Sequence, residues 1–384
     1  MFAFLSCHGY YIIYQHQCQK GQIMKVYTYT EDINVDTSGR SADPQDILYF
    51  DIETTGLSAA RSDLYLIGYG YLEDDHFNTV LLFNDDGKSE PEMLQTFQDK
   101  LCSFGTLVSY NGDTFDIPYM KTKYDQFDVA TTIDTIRSFD IYKITRKYRK
   151  LFNLSSVKQV DVEDLAGFNR CSFISGGKLI EAYKSYLKSP SEALLSDMLT
   201  HNHDDIRGLI SISEFANMTY ITSEAEIRNV IINADSLTYI CNVKKLPCRI
   251  TYSDKNNNRI MLNAHDTELR LIVSRTDATL KYYFKDYKNY FYLPLEDMAI
   301  HKSTAIYVDN DHKEKATKDT AYVKKRATYL PAPAKCSGKV FFKGDRCGER
   351  FIEETEALSS ICDTSNAYIK SILREIFPEC KNQV

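Results

Sequence analysis

Ile47-Leu48-Tyr49-Phe50-Asp51-Ile52-Glu53-Thr54-Thr55-Gly56-Leu57 is the stretch that decides how this chain is read. An apolar run of β-branched and aromatic residues ends in two acids, and Gly56 then breaks the strand. Side chains alternate along a strand, so Asp51 and Glu53 project from one face and Ile52 from the other. Two carboxylates side by side at the end of a buried strand repel each other and are costly to desolvate. A shared hard cation removes that cost, and Mg²⁺ and Mn²⁺ prefer such oxygen donors. The plainer alternative is a strand that runs out into a solvated acidic turn.

Working outward, Leu64–Leu72 and Phe77–Phe83 read as two further strands with short polar turns, which predicts an antiparallel meander. Pro91–Phe104 has helical spacing with Pro in its first turn. Thr106–Tyr110 reads as a fourth strand, broken by Asn111-Gly112, and helical patterns then dominate from Ile117 to about Phe215. The first ordered region is expected near Ile47. Residues 1–45 are read as an N-terminal extension, with Met24 as an alternative start after the short apolar opening Met1–Leu5.

Two later runs carry more acids. Tyr110-Asn111-Gly112-Asp113-Thr114-Phe115-Asp116-Ile117-Pro118 puts Asp116 where a strand hands over to a helix. There it is either a site carboxylate or a helix N-cap, and Phe115 is expected to anchor the core. In His201-Asn202-His203-Asp204-Asp205-Ile206-Arg207, His201 and Asp205 are one helical turn apart and share a face. Asp204 is expected in solvent and His203 at the surface, and the bland alternative for the run is a polar helix face. Asp140 is either a carboxylate supporting the site or an N-cap for the following helix, and it reads as the cap, outside the ligand set.

Taken together, Asp-x-Glu at a strand end, Asn-x-x-x-Phe-Asp at a strand–helix junction and His-x-x-x-Asp on a later helix follow the order of the DEDD exonuclease motifs. The text from Ile47 to Phe215 resembles the YprB-type ribonuclease-H-like 3′→5′ exonuclease family. Supporting segments are Leu64–Gly68, Phe139–Lys143, Gly176–Tyr183 and His201–Gly208. The resemblance implies an α/β fold, a ribonuclease-H-like mixed sheet flanked by helices. It implies that Asp51, Glu53, Asp116 and Asp205 ligate two divalent cations, Mg²⁺ or Mn²⁺, with His201 in the place of the general base. The three residues between His201 and Asp205 match the spacing of tyrosine-type members, so a histidine stands at a tyrosine-like position. Thr54, Leu57, Asn111 and Phe115 are the implied substrate contacts. Leu57 is either a wedge against the terminal base or a core leucine.

The implied activity is two-metal hydrolysis of phosphodiester bonds in DNA or RNA, taken from single-stranded 3′ ends. Alternatives are a catalytically decayed nucleic-acid-binding module and a protein-interaction adaptor. The net charge of −7 over 384 residues argues against binding nucleic acid through bulk positive charge, but it suits a site that holds cations. The 10 cysteines form no Cys-x-x-Cys pair, which disfavours a thiolate zinc site and favours reduced thiols in a cytoplasm. No apolar run is long enough for a membrane helix.

The domains are expected at 46–217 and 218–384, the second β-rich with a helical tail from Glu353 to Phe377. Pro331–Ala334 looks like a short linker. Lys143, Arg146, Lys147, Arg149 and Lys150 cluster in one segment, either as a solvated face or as a contact for phosphate. The mixed aromatic and basic run Lys281–Tyr292 reads as an amphipathic strand or as a surface for single strands.

Overall fold

The structure is a computed structural model that describes residues 24–32, 44–74, 76–254, 259–336 and 338–378. The apolar opening lies outside the described residues. The chain divides into two compact units between Met218 and Thr219.

The first unit is built on a mixed sheet. Its strands are β1 (Lys25–Glu31), β2 (Ile47–Thr54), β3 (Leu64–Glu73), β4 (His76–Phe83), β5 (Thr106–Ser109) and β6 (Arg137–Asp140), in the spatial order β1-β4-β3-β2-β5-β6. The meander β2-β3-β4 is antiparallel, as its polar turns predict, and β5 and β6 add in parallel to β2. The helices are α1 (Glu90–Leu101), α2 (Asp116–Gln126), α3 (Ile141–Tyr148), α4 (Gln159–Ala166), α5 (Gly176–Lys188) and α6 (Glu192–Ser211).

The sheet is covered by a core on each face, and the pleat turns Leu48, Phe50 and Ile52 of β2 into one of them. Leu48, Phe50 and Ile52 pack with Met93, Leu94 and Phe97 of α1 and Tyr119, Met120 and Tyr124 of α2. On the opposite face Tyr65, Leu81 and Phe83 pack with Leu179, Tyr183 and Tyr186 of α5 and Met198 and Leu199 of α6. Asp51 and Glu53 therefore point to the side that carries α6.

One expectation is corrected here. An ordered strand precedes Ile47: β1 pairs with β4 from Lys25↔Phe83 to Glu31↔Phe77, inside the stretch read as an extension. Its alternating β-branched and aromatic residues were a usable signal. Helices dominate after Ile117, as expected, and the short β6 among them extends the sheet. At four residues it is too short to show a period.

The second unit is β-rich. One sheet orders the strands Glu226–Ile232, Ser236–Asn242, Glu268–Ser274, Ile260–His265 and Ile250–Ser253. A closed barrel joins Thr276–Tyr283, Tyr322–Pro331, Glu349–Glu353 and Phe341–Lys343 around Tyr329, Phe341 and Phe351. Pro331 is the last residue of a barrel strand paired with Phe351, so the segment read as a linker starts within the barrel. The helical tail is Asp363–Ile376. Lys281 to Tyr292 spans the end of one strand and most of another, with Phe284 and Tyr290 stacked at 4.0 Å. Among the described residues no helix is long and apolar enough to cross a membrane.

Candidate active site

The site is assembled where α6 crosses β2 and β3. Asp51 pairs with Gly68 across the β2–β3 ladder. A Cβ at Gly68 would lie 1.9 Å from Asn202 Oδ1, and one at Gly70 would lie 2.7 Å from Ile206 Cγ2. Glycine at these two positions lets α6 lie against the sheet. Asn202 can then donate from Nδ2 to Asp51 Oδ2 at 2.7 Å.

Asp116 arrives by a different route. The parallel ladder between β2 and β5 ends at Tyr49↔Val108, which leaves the next N–H groups on that edge of β2 without a strand partner. Asp116 Oδ1 takes one of them, accepting from the Ile52 N–H at 3.3 Å. The carboxylate is thereby held next to Asp51. Asp116 is buried at the first residue of α2, and Phe115 occupies the N-cap position without a side-chain cap, so the capping alternative fails. The turn before it needs Asn111 at φ 66°, a left-handed conformation that asparagine tolerates. Asn111 N–H donates to Asp140 Oδ1 at 2.7 Å, and the same oxygen accepts from Tyr142 N–H at 3.0 Å. Asp140 is thus an N-cap, as expected, and also a brace for the Asn111 turn.

From α6, His201 and Asp205 face the strand end on one helical face. His201 Nε2 lies 3.6 Å from Glu53 Oε1 and 3.4 Å from Asp205 Oδ2. Ligand atoms of Glu53, His201 and Asp205 all fall within 4.8 Å of one another. His201 Nδ1 is buried and has no hydrogen-bond partner, so no group behind the ring sets its tautomer. His201 is therefore among the candidate metal-ligand residues, with Nε2 directed at Glu53 and Asp205.

The electrostatics follow from crowding. Burial, then the charges of Asp205, Asp116 and Glu53, push Asp51 well above the ordinary carboxylate range. Burial and the Asp205 charge push Glu53 up to about 8, against the hydrogen bond from Tyr65. Burial pushes Asp116 up to about 7, with Asp140 and Asp205 adding repulsion. Asp51 thus feels each of the other three candidate ligands. These are the acids that a divalent cation would relieve, and their oxygen-rich donor set fits Mg²⁺ or Mn²⁺.

Several partners of the site carry no motif. Arg170 donates to Asp205 Oδ1 at 2.7 Å and forms a two-point pair with Glu163, with Nη2 to Oε1 at 2.8 Å. Gln159 Nε2 bonds Glu163 Oε1 at 2.8 Å and the Asp205 carbonyl at 2.9 Å. Tyr65 donates to Glu53 Oε2 at 3.2 Å. Tyr65 and Asn202 lay inside segments already singled out, at strand and helix positions facing the acids. Arg170 comes from an irregular segment 35 residues before Asp205, where no spacing rule operates.

Two readings of α6 are corrected. Asp204 is buried rather than solvated, and its Oδ2 accepts from the Cys171 and Ser172 N–H groups at 2.7 Å each. His203 is not a surface residue. It stacks on Tyr29 with ring centroids 4.1 Å apart and sits 3.2 Å from Glu31 Oε1. Both follow from β1 and the 170–172 segment covering that flank of the helix.

Of the implied substrate contacts, Leu57 is 88% exposed, which removes the core-leucine alternative. Phe115 is half-buried against the first core, as expected. Thr54 is buried, and its hydroxyl donates to the Gly56 carbonyl at 2.9 Å, so it shapes the turn that carries Leu57. In the basic cluster, Lys143 pairs with Asp113, and Arg149 donates to the Leu154 carbonyl at 3.0 Å.

Residues 48–217 match the model of the ribonuclease H superfamily. The chain is 26% identical over 178 residues to YprB of Bacillus subtilis, a match covering 46% of this chain and 43% of that protein. It is 28% identical over 162 residues to a PolC-type DNA polymerase III of Streptococcus pyogenes, covering 34% of this chain and 11% of that protein. The matches thus span less than half the length of these relatives. Similar solved structures include a family B DNA polymerase of Pyrobaculum calidifontis, at TM-score 0.38 and 17% identity, covering 47% of this chain and 25% of that one. Another is Escherichia coli exonuclease I with a dT13 oligonucleotide, at TM-score 0.32 and 8% identity, covering 56% and 54%.

Proposed function

We propose that this chain, whose residues 48–217 belong to the ribonuclease H superfamily, is a metal-dependent 3′→5′ exonuclease acting on single-stranded DNA or RNA ends. The observation that carries the proposal is the meeting of Asp51, Glu53 and Asp205, each half-buried, with the buried Asp116. A fold gains nothing from placing mutually repelling acids in one cleft unless cations join them. The 3′→5′ direction rests on the motif resemblance.

In this reading the four carboxylates hold two divalent cations, Mg²⁺ or Mn²⁺. Bound there, the cations supply charge stabilisation to the phosphate and acidify the attacking water. The chain's own residues do the positioning. Asn202 fixes one oxygen of Asp51 and Tyr65 fixes one oxygen of Glu53. Arg170 claims Asp205 Oδ1, which turns Oδ2 toward His201. His201 Nε2 stands where it can take the proton of the attacking water. The water oxygen bonds to phosphorus, the bond from phosphorus to the 3′ oxygen breaks, the leaving 3′ oxygen takes a proton from solvent water, and His201 returns its proton to solvent. His201 is the proposed base, and its place among the candidate ligand atoms makes it a second candidate for holding metal.

The test is an assay on 5′-labelled single-stranded DNA and RNA with Mg²⁺, Mn²⁺ or EDTA. Successively shorter labelled products in the metal lanes, and intact substrate in EDTA, are expected. Release of the 5′ label as a mononucleotide would reverse the direction, and cutting in EDTA would remove the metal from the account.

A further inference from the structure

Among the described residues of the first unit, the large apolar side chains left mostly in water are Leu57, at 88%, and Phe173, at 84%. Leu57 follows the strand that bears Asp51 and Glu53. Phe173 follows Arg170, whose guanidinium is bonded to Asp205. Three residues of chain put the Phe173 backbone within about 10 Å of the Arg170 backbone.

The exposure of Phe173 is not that of a loose segment. On one side, Cys171 and Ser172 both donate their N–H groups to Asp204 Oδ2 at 2.7 Å, and Ser172 is buried. On the other side, Ile174 packs against the core formed by Tyr65, Leu179, Tyr183 and Leu199. Residues 172 and 174 are held inward and Phe173 is turned out between them. Asp204 and Asp205 are consecutive on α6, so the helix that carries a cleft carboxylate also anchors the segment that presents this ring.

We infer that Phe173 stacks on a nucleobase of the substrate strand beside the cleft. The inference rests on the nuclease reading and names one of its substrate contacts. A bare phenyl ring has no hydrogen-bonding group with which to read a base edge, but every base offers it a π-face. That suits an enzyme removing successive nucleotides, which must grip each new base without choosing among them. Asp204 acts here as a positioning residue, holding the backbone from which the ring projects.

The experiment is anisotropy titration of a short 5′-fluorescein oligo(dT) in EDTA, with wild type, Phe173→Ala, Phe173→Leu and Phe173→Trp. Melting temperatures and Mn²⁺ affinities are recorded for each protein. Stacking predicts that Phe173→Ala weakens oligonucleotide binding on the order of tenfold, raises KM with kcat little changed, and leaves Mn²⁺ affinity and melting temperature alone. Phe173→Trp should bind at least as well as wild type, and Phe173→Leu should resemble Phe173→Ala. Unchanged binding by Phe173→Ala, or full recovery in Phe173→Leu, overturns the stacking assignment while leaving the nuclease reading intact. A wild type that neither binds nor shortens the oligonucleotide overturns the nuclease reading, and this inference with it.

Discussion

Asp297 in the second unit and the cleft acids in the first are carboxylates in opposite surroundings. Asp297 ion-pairs with Lys324 and accepts from the hydroxyls of Tyr292, at 2.6 Å, and Tyr322. The Lys324 contact and the two phenols hold its carboxyl well below the usual range. In the first unit burial and mutual repulsion push Asp51, Glu53 and Asp116 the other way. The first arrangement is finished as it stands, since each lone pair used has a donor. The second, in the proposed reading, is finished by cations. A carboxylate with a strongly shifted pKa is therefore not in itself a functional signal. Asp204 is buried beside the site, yet it accepts from two backbone N–H groups and faces the cationic Arg170. What separates the cleft is acids facing acids.

The strongest way to break this contrast is to neutralise one acid on each side of it. Asp205→Asn should lower turnover by at least about 10³-fold while the protein stays folded, because a charge at the reacting centre is lost at nearly constant shape. Asp297→Asn should leave turnover unchanged. Steady-state rates on a labelled oligonucleotide check both, and comparable losses in the two variants would erase the distinction.

His201 sharpens it next. If His201 Nε2 takes the water's proton, His201→Ala lowers kcat by roughly 10²–10⁴-fold with Mn²⁺ affinity nearly unchanged. A parallel fall in Mn²⁺ affinity would make His201 a ligand instead. His203→Ala should cost stability of about 1–3 kcal/mol, since it removes the stack on Tyr29, with little effect on rate.

A buried acid with a partner makes a third comparison. Glu90 and Lys123 form an ion pair at 2.7 Å with both side chains out of water. Lys123→Met should destabilise by about 3–5 kcal/mol by leaving Glu90 alone, and Glu90→Gln with Lys123→Met should recover much of that. Urea melts of the single and double variants decide the matter, and a silent Lys123→Met would show that the pair carries no weight.

The smallest effect is in pH. Glu53 moves from 4.5 to about 8 on folding, and Asp116 from 3.8 to about 7. The folded state holds more protons across that window, so these groups' contribution is complete below about pH 4 and is lost as pH rises toward 8. Metal-free protein should lose melting temperature from these groups between pH 5 and 8. Added Mg²⁺ should raise it more at pH 8 than at pH 5, because the cation competes with those protons. A Mg²⁺ shift equal at both pH values would contradict the raised carboxylates.

The parts legible in the sequence were those with a period. Alternation put Asp51 and Glu53 on one face and Ile52 in the opposite core, and helical spacing put His201 beside Asp205. The meander was legible from its polar turns. Long-range pairing without a period was not. Nothing in the spelling around Arg170 announces that it reaches Asp205 and Glu163, and nothing around Asp204 announces its two backbone donors. The misread solvent exposure of His203 and Asp204 shares this origin. A helix face looks polar until the segments that cover it, β1 and residues 170–172, are in place.

The central claim is that the cleft carboxylates form a divalent-cation site, and Mn²⁺ titration of wild type and Asp51→Asn at pH 8, followed calorimetrically, tests it most directly. The account predicts saturable binding by wild type and affinity weakened at least about tenfold in a folded Asp51→Asn, since one shared ligand charge is gone. Equal Mn²⁺ affinity in the two proteins, or no binding by wild type, would contradict it.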